Sequence, residues 1–176
     1  HPGIGSDLYN GVNKDNDCDT LFDEDSISAG DIIINEVMVD PADAQNDEWV
    51  ELRNMAGFPV NIANWVIENN GGTETVALTT TGSPVIATNG YAVLCADPST
   101  PPTLPAGVSC ANVAALTGFS LTNAADSIVI NFTDGGAGSA TDIDCVIWGS
   151  AAAGCTAINT SEIVSGSSAQ FVTPDW

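Results

Sequence analysis

The stretch Trp49-Val50-Glu51-Leu52-Arg53 alternates its side chains with a two-residue period. Successive side chains of an extended strand point to opposite faces, so Val50 and Leu52 share one face while Trp49, Glu51 and Arg53 share the other. The face with Val50 and Leu52 suits a core, and a one-residue slip in register would bury the charges instead. The stretch therefore predicts a β-strand with one face in the interior of a sheet protein.

Similar segments recur on both sides of it, as short β-branched or aromatic runs separated by clusters of Gly, Pro, Asn and Asp. This spacing is typical of antiparallel sandwiches and barrels, and helical periodicity is almost absent. One helical turn is expected, at 111–116, and Trp65, Trp148 and Phe132 are the large side chains expected inside. The predicted strands, the last of them weaker, are enough for a two-layer sandwich: Ile32 to Val39, Trp49 to Asn54, Val60 to Glu68, Thr75 to Thr80, Tyr91 to Cys95, Ser127 to Phe132, Asp144 to Trp148 and Gln170 to Thr173.

The charge balance of the chain is strongly acidic. Its 176 residues hold 23 Asp and Glu against one lysine, Lys14, and one arginine, Arg53, which gives a formal net charge of −21. Such a surface repels nucleic acid and anionic lipid headgroups. The apolar fraction of 44% is high enough for a folded core, and no apolar run approaches the ~20 residues of a membrane span. We therefore expect one folded domain with an appendage, no nucleic-acid partner and no membrane span.

Catalytic residues are scarce. The one histidine is His1, so no Ser-His-Asp or Cys-His set can be assembled. Glycoside hydrolysis needs two acids in a cleft lined by aromatics, and only 6% of the residues are aromatic. The sequence favours a non-enzymatic protein. No charged-then-apolar leader precedes His1, so we expect a processed chain.

The five cysteines lack the paired CxxC spacing of a structural zinc site. Sequential pairing of Cys95 with Cys110 and of Cys145 with Cys155 would close two local loops, and other connectivities are open. Any of these patterns indicates an oxidising compartment, so we expect a secreted, extracellular or cell-surface protein. Cys18 is the expected odd thiol.

Residues 1–30 form an acidic arm that differs from the domain predicted over 31–176. The segment from Asp15 to Asp25 places carboxylates at alternate positions, and calcium takes six to eight such oxygen ligands. It resembles the calcium loops of EF-hands, dockerins and thrombospondin type 3 repeats. Two positions depart from the loop pattern, because Thr20 replaces the glycine and Ser26 the bidentate glutamate. The expected Ca²⁺ ligands, with Leu21 contributing its carbonyl, are Asp15, Asp17, Asp19, Leu21, Asp23, Glu24 and Asp25.

Two further acidic groups are weaker candidates for cation sites. The first surrounds the first predicted hairpin: Asn35, Glu36, Asp40, Asp43, Asp47, Glu48 and Glu51. Charges on hairpin edges also discourage aggregation between edges, which is the simpler interpretation. The second group is more simply explained as turn formers: Asp126, Asp134, Asp142 and Asp144.

Several motifs, spaced along residues 31 to 150, together resemble the lamin-tail domain of bacterial secreted proteins. The motifs are Ile32-Ile33-Ile34-Asn35-Glu36-Val37-Met38, Asp47-Glu48-Trp49-Val50-Glu51-Leu52, Asn64-Trp65-Val66-Ile67, Tyr91-Ala92-Val93-Leu94, Leu121-Thr122-Asn123-Ala124-Ala125-Asp126-Ser127-Ile128-Val129-Ile130 and Asp142-Ile143-Asp144-Cys145-Val146-Ile147-Trp148. The resemblance implies an all-β, immunoglobulin-like antiparallel β-sandwich, here with an extended N-terminal arm. It also implies an accessory, binding or structural role without an active site.

These observations lead to one main functional hypothesis and two alternatives. The main one is a secreted structural subunit that self-assembles into a homo-oligomer or polymer, as a filament or surface coat, through an arm stabilised by calcium. One alternative is an accessory ligand-binding module of a larger secreted protein. The other is a carbohydrate-binding module that uses Trp176, Trp148 or Tyr9 as stacking platforms.

Overall fold

The computed structural model describes residues 27–41, 48–63, 65–69, 74–77, 85–96, 110, 120–132, 141–149, 155–158, 166 and 169–170. Every regular element within these residues is a β-strand, as the sequence predicts. The strands are β1 (Ile32–Met38), β2 (Trp49–Asn54), β3 (Val60–Asn61), β4 (Val66–Asn69), β5 (Glu74–Ala77), β6 (Val85–Ile86), β7 (Tyr91–Cys95), β8 (Asp126–Phe132), β9 (Thr141–Trp148), β10 (Thr156–Ile158) and β11 (Ala169–Gln170). The expected helical turn at 111–116 lies outside the described residues.

The strands form two main sheets of an immunoglobulin-like sandwich, which confirms the predicted fold class. The first sheet has the order β11-β1-β2-β7, the second has the order β10-β9-β8-β4-β5, and β3 pairs with β6. Neighbouring strands are antiparallel except for β9 and β10, which run parallel. The antiparallel prediction therefore fails at this one pair, and β10 and β6 are strands that the sequence did not reveal.

The predicted strands match the observed ones most closely where alternation is clearest. The bounds of β2 and β7 are those expected, whereas the strand predicted from Val60 to Glu68 is wrong. Asn61 accepts a hydrogen bond from the backbone N–H of Ala63 at 2.9 Å, and this turn ends β3. The chain then leaves the small β3–β6 pair and enters the second sheet as β4.

The core lies between the two sheets. As predicted, Val50 and Leu52 face it and are completely buried, and Trp65 and Trp148 lie inside. Phe132 is partly buried and meets the Trp65 ring edge-on, with ring centroids 5.4 Å apart. Full burial of an aliphatic side chain contributes about 1.5–3 kcal/mol, so the apolar faces of the strands supply most of the stability.

The two described disulfides join the pairs that sequential pairing suggested, Cys95–Cys110 and Cys145–Cys155. Each lies beside a parallel contact. Cys110 forms an isolated parallel bridge with Val93, and β10 begins next to Cys155 and runs parallel to β9. In both cases the chain leaves a strand, returns alongside it in the same direction and is cross-linked to it. Cys18 lies outside the described residues.

Candidate functional site

The predicted calcium ligands from Asp15 to Asp25 lie outside the described residues, so the calcium site stays a prediction. Within the described ranges, no three His, Cys, Asp or Glu side chains form a group suited to a metal ion. Several of the remaining acidic residues can be placed, and their contacts reveal what they do in the domain.

Glu48, expected on the edge of a hairpin, is instead 99% buried, with 1% of its surface exposed. One of its carboxylate oxygens accepts a hydrogen bond from the backbone N–H of Leu121 at 2.9 Å. In the same predicted cluster, Glu51 accepts a hydrogen bond from the Asn35 side-chain amide at 2.6 Å. Asp43 and Asp47 lie outside the described residues. The carboxylate of Glu48 therefore binds the backbone of a distant loop, a role that its position in the sequence does not reveal.

That loop, residues 120–126, is held by side chains from several strands, and we call this arrangement the polar clasp. Besides Glu48, Asn69 of β4 donates to the carbonyl of Ser120 at 2.6 Å. Trp148 of β9 donates its indole N–H to the carbonyl of Thr122 at 2.8 Å. The clasp satisfies backbone groups that would be costly to bury unpaired, and it fixes the loop over the end of the sandwich.

Asp126 completes the clasp from the start of β8. Its two carboxylate oxygens accept hydrogen bonds from the backbone N–H groups of Thr122 and Ser127, both at 2.8 Å. This is the turn-forming role that the sequence offered as the simpler interpretation. Leu121 is buried between these contacts. The Leu-to-Asp segment therefore contributes an apolar anchor together with the acid that orders the turn.

Asp144 has a different role, because it lies within β9 and links the two sheets. The register of β8 with β9 shifts by one residue at this point, and Ile143 is the extra, buried residue. A carboxylate oxygen of Asp144 accepts a hydrogen bond from the backbone N–H of Ile34 in β1 at 2.7 Å. Burial raises the pKa of Asp144, and hydrogen bonds from the backbone of Ile34 and Cys145 partly oppose that rise.

The outer face of the first sheet combines an apolar end with a cationic end. Trp49, Val93 and Cys95 form a buried cluster at the apolar end. At the other end Arg53 of β2 lies opposite Tyr91 of β7, with its guanidinium carbon 5.6 Å from the ring centroid. Tyr91 is 54% exposed, so this end of the face is open to solvent.

The structure rules out Trp148 as a stacking platform for carbohydrate. Its ring is 1% exposed and its N–H belongs to the polar clasp, so Trp148 cannot stack on a sugar. Tyr9 and Trp176 lie outside the described residues. The exposed aromatic side chain of the described strands is Tyr91, which alternation in β7 places on the outer face together with Val93.

Two comparisons and one structural property bear on what this chain is. No helix in the described part of the chain is long and apolar enough to cross a bilayer. A search of curated proteins found no match. The family model for the Lamin Tail Domain matches residues 25–150, which is more than half of the chain. On the strength of that match and of the sandwich described above, this chain belongs to the Lamin Tail Domain family.

Proposed function

We propose that this chain is a secreted, non-enzymatic structural subunit that self-assembles into an extracellular filament or surface coat stabilised by calcium. The observation that carries the proposal is the alternation of carboxylates from Asp15 to Asp25, which leads directly into the family match at residue 25. The acidic segment with this spacing precedes a domain of a structural family. Such a segment is better suited to joining copies of the chain than to catalysis.

The donor set fits a hard divalent cation. Carboxylate and carbonyl oxygens are the ligands that Ca²⁺ prefers, and bound calcium neutralises charge that otherwise repels other acidic surfaces. The residues that would hold it are Asp15, Asp17, Asp19, Leu21, Asp23, Glu24 and Asp25. A segment ordered in this way joins copies when it adds to a sheet edge of a neighbour, and head-to-tail contacts that do not close produce a fibre.

Two other observations support the extracellular and structural parts of the proposal. The two disulfides favour an oxidising compartment. The Lamin Tail Domain is an immunoglobulin-like structural domain and not an enzyme family. Both observations fit an extracellular assembly in which the sandwich is the folded body of each subunit and the arm joins neighbouring subunits.

The test is the size of the full chain, measured by light scattering and electron microscopy with calcium and after chelation. We expect assemblies in calcium that dissociate in chelator. Replacing Asp15, Asp17 and Asp19 together with Ala should abolish calcium uptake in titration calorimetry and prevent assembly, because three carboxylate ligands are lost. Replacing the same three residues with Asn removes their charge but keeps an oxygen donor, so it should weaken calcium uptake less.

A matched control removes the same number of charges outside every candidate cation group, through Glu68→Gln, Glu74→Gln and Glu162→Gln in one chain. This variant should bind calcium and assemble as the wild-type chain does. If the wild-type chain stays monomeric in calcium at all concentrations, the assembly proposal is wrong and an accessory role becomes the better reading. If the control loses assembly equally, the total number of acidic side chains, and not a specific calcium site in the arm, determines assembly.

A further inference from the structure

The environment of Arg53 is unusual for a chain with so many acids. Arg53 and Lys14 are its cationic side chains, against 23 Asp and Glu. Nevertheless, in the part of the chain that the structure describes, no carboxylate lies within ion-pair distance of Arg53. Its guanidinium lies over the Tyr91 ring, and its buried Nε has no hydrogen-bond partner.

Neighbouring acids hold other groups. Glu51, two residues away on the same face of β2, accepts a hydrogen bond from the Asn35 side chain. Asp31, near the same end of the sheet, accepts one from the backbone N–H of Ser28 at 2.7 Å. Among the described residues, the guanidinium is therefore held in place without an ion pair, although arginine matches carboxylates in paired hydrogen bonds.

The surroundings of Arg53 have the composition of a contact surface. Tyr91 is 54% exposed, and Met55, which follows β2, is 45% exposed. Arginine, tyrosine and methionine are enriched where proteins meet, and tyrosine and arginine dominate the residues whose loss weakens binding most. The cation–π contact with Tyr91 also restricts the guanidinium, which lowers the entropy lost when a carboxylate binds.

We propose that Arg53 and Tyr91 receive a surface carboxylate from a second copy of this chain. The inference rests on the proposed self-assembly and identifies a receiving surface for it. A second copy fits by charge, because each copy contains 23 acidic side chains and only two cationic ones. A contact between two such surfaces is repulsive unless one side contributes a cation, and Arg53 supplies it on the folded sheet.

The first test compares self-association of the full chain in calcium by sedimentation velocity across a range of concentrations. Arg53→Gln should raise the concentration needed for assembly by about tenfold or more, because it removes one partner of an interfacial charge pair. Tyr91→Leu should act in the same direction. Asn123→Asp is the matched control, since it changes the net charge equally at an exposed position outside both the arm and this surface, and it should assemble as the wild-type chain does.

The second test uses Arg53→Lys, which keeps the charge and adds an amine that a carbodiimide can couple to a carboxylate. The variant is assembled from an equal mixture of unlabelled and ¹⁵N-labelled chains, and cross-linked peptides are read by mass spectrometry. Links from position 53 to an Asp or Glu should join a labelled peptide to an unlabelled one. Links found only within one chain would overturn the inference.

These outcomes separate the inference from the proposed function. A wild-type chain that never associates in calcium refutes both. A wild-type chain that assembles, together with a folded Arg53→Gln variant that assembles equally well, refutes the Arg53 contact alone. Thermal unfolding of each variant by circular dichroism establishes that it is folded.

Discussion

Replacing Glu48 with leucine should destabilise the domain by removing the acceptor in the polar clasp. Leucine has a similar size, and the change removes the acceptor for the backbone N–H of Leu121, whose hydrogen bond spans 2.9 Å in a buried environment. A buried N–H left without a partner costs about 1–3 kcal/mol, and hydrogen bonds to charged groups lie towards the upper end. We expect a loss of about 2–3 kcal/mol, or roughly 4–12 °C in Tm for a chain of this size.

Urea unfolding followed by tryptophan fluorescence measures the change in free energy, and hydrogen exchange measures the Leu121 amide directly. That amide should exchange far faster in Glu48→Leu than in the wild-type chain. Glu48→Gln keeps an acceptor oxygen of the same shape and should lose less than about 1 kcal/mol. Glu68→Leu makes the same change at a half-buried glutamate of β4 and serves as the control.

The stabilising role of Glu48 is refuted if Glu48→Leu unfolds at the same urea concentration as the wild-type chain and the Leu121 amide keeps its protection from exchange. It is also refuted if Glu68→Leu is equally destabilised, because the loss would then follow from removing a glutamate anywhere in the domain. If Glu48→Gln and Glu48→Leu lose the same unfolding free energy, the charge itself, and not the hydrogen bond to Leu121, stabilises the loop.

Two further changes test the contacts of β9. Burial raises the folded-state pKa of Asp144 above its unfolded value, so the ionised form opposes folding and this cost is relieved as the pH falls through the folded pKa. Asp144→Asn should therefore be more stable than the wild-type chain at neutral pH. Urea titrations should show the difference in unfolding free energy between the two chains shrinking towards pH 4. A difference that stays constant with pH would contradict this. Gly149 follows β9 with φ of +74°, and an added Cβ would overlap the carbonyl oxygen of Ala124. Gly149→Ala should lower Tm measurably, whereas Gly57→Ala, where a Cβ meets open space, should change it less.

The fold was largely predictable because it depends on local patterns. The period of two in β2 separates buried Val50 and Leu52 from outward Glu51 and Arg53, and the structure confirms this division. The strand predicted across Val60 to Glu68 was wrong because composition alone does not show that Asn61 turns the backbone. Its side chain competes for a backbone N–H, which ends β3 in the middle of an apolar run.

The polar contacts were much less predictable than the strands, because their partners are distant in sequence. Glu48 and Leu121 are 73 residues apart, and Asp144 and Ile34 are 110 residues apart. No local pattern distinguishes such acids from those on an exposed edge. The nearest available signal was Asp126, whose position in the Leu-to-Asp segment beside a strand suggested a turn, and the structure places it in that role.

Two groups of acidic residues in this chain have different expected consequences for calcium. Glu48, Asp126 and Asp144 accept hydrogen bonds from backbone N–H groups, and these bonds hold the three carboxyl groups in place. The alternating carboxylates from Asp15 to Asp25 belong to a segment whose predicted order depends on calcium. Because the two groups are separate, removal of calcium should act first on assembly and leave the unfolding of the sandwich nearly unchanged. If chelation instead lowers the Tm of the sandwich at the calcium concentrations that dissolve the assemblies, calcium stabilises the folded domain itself, and its effect is not confined to the arm.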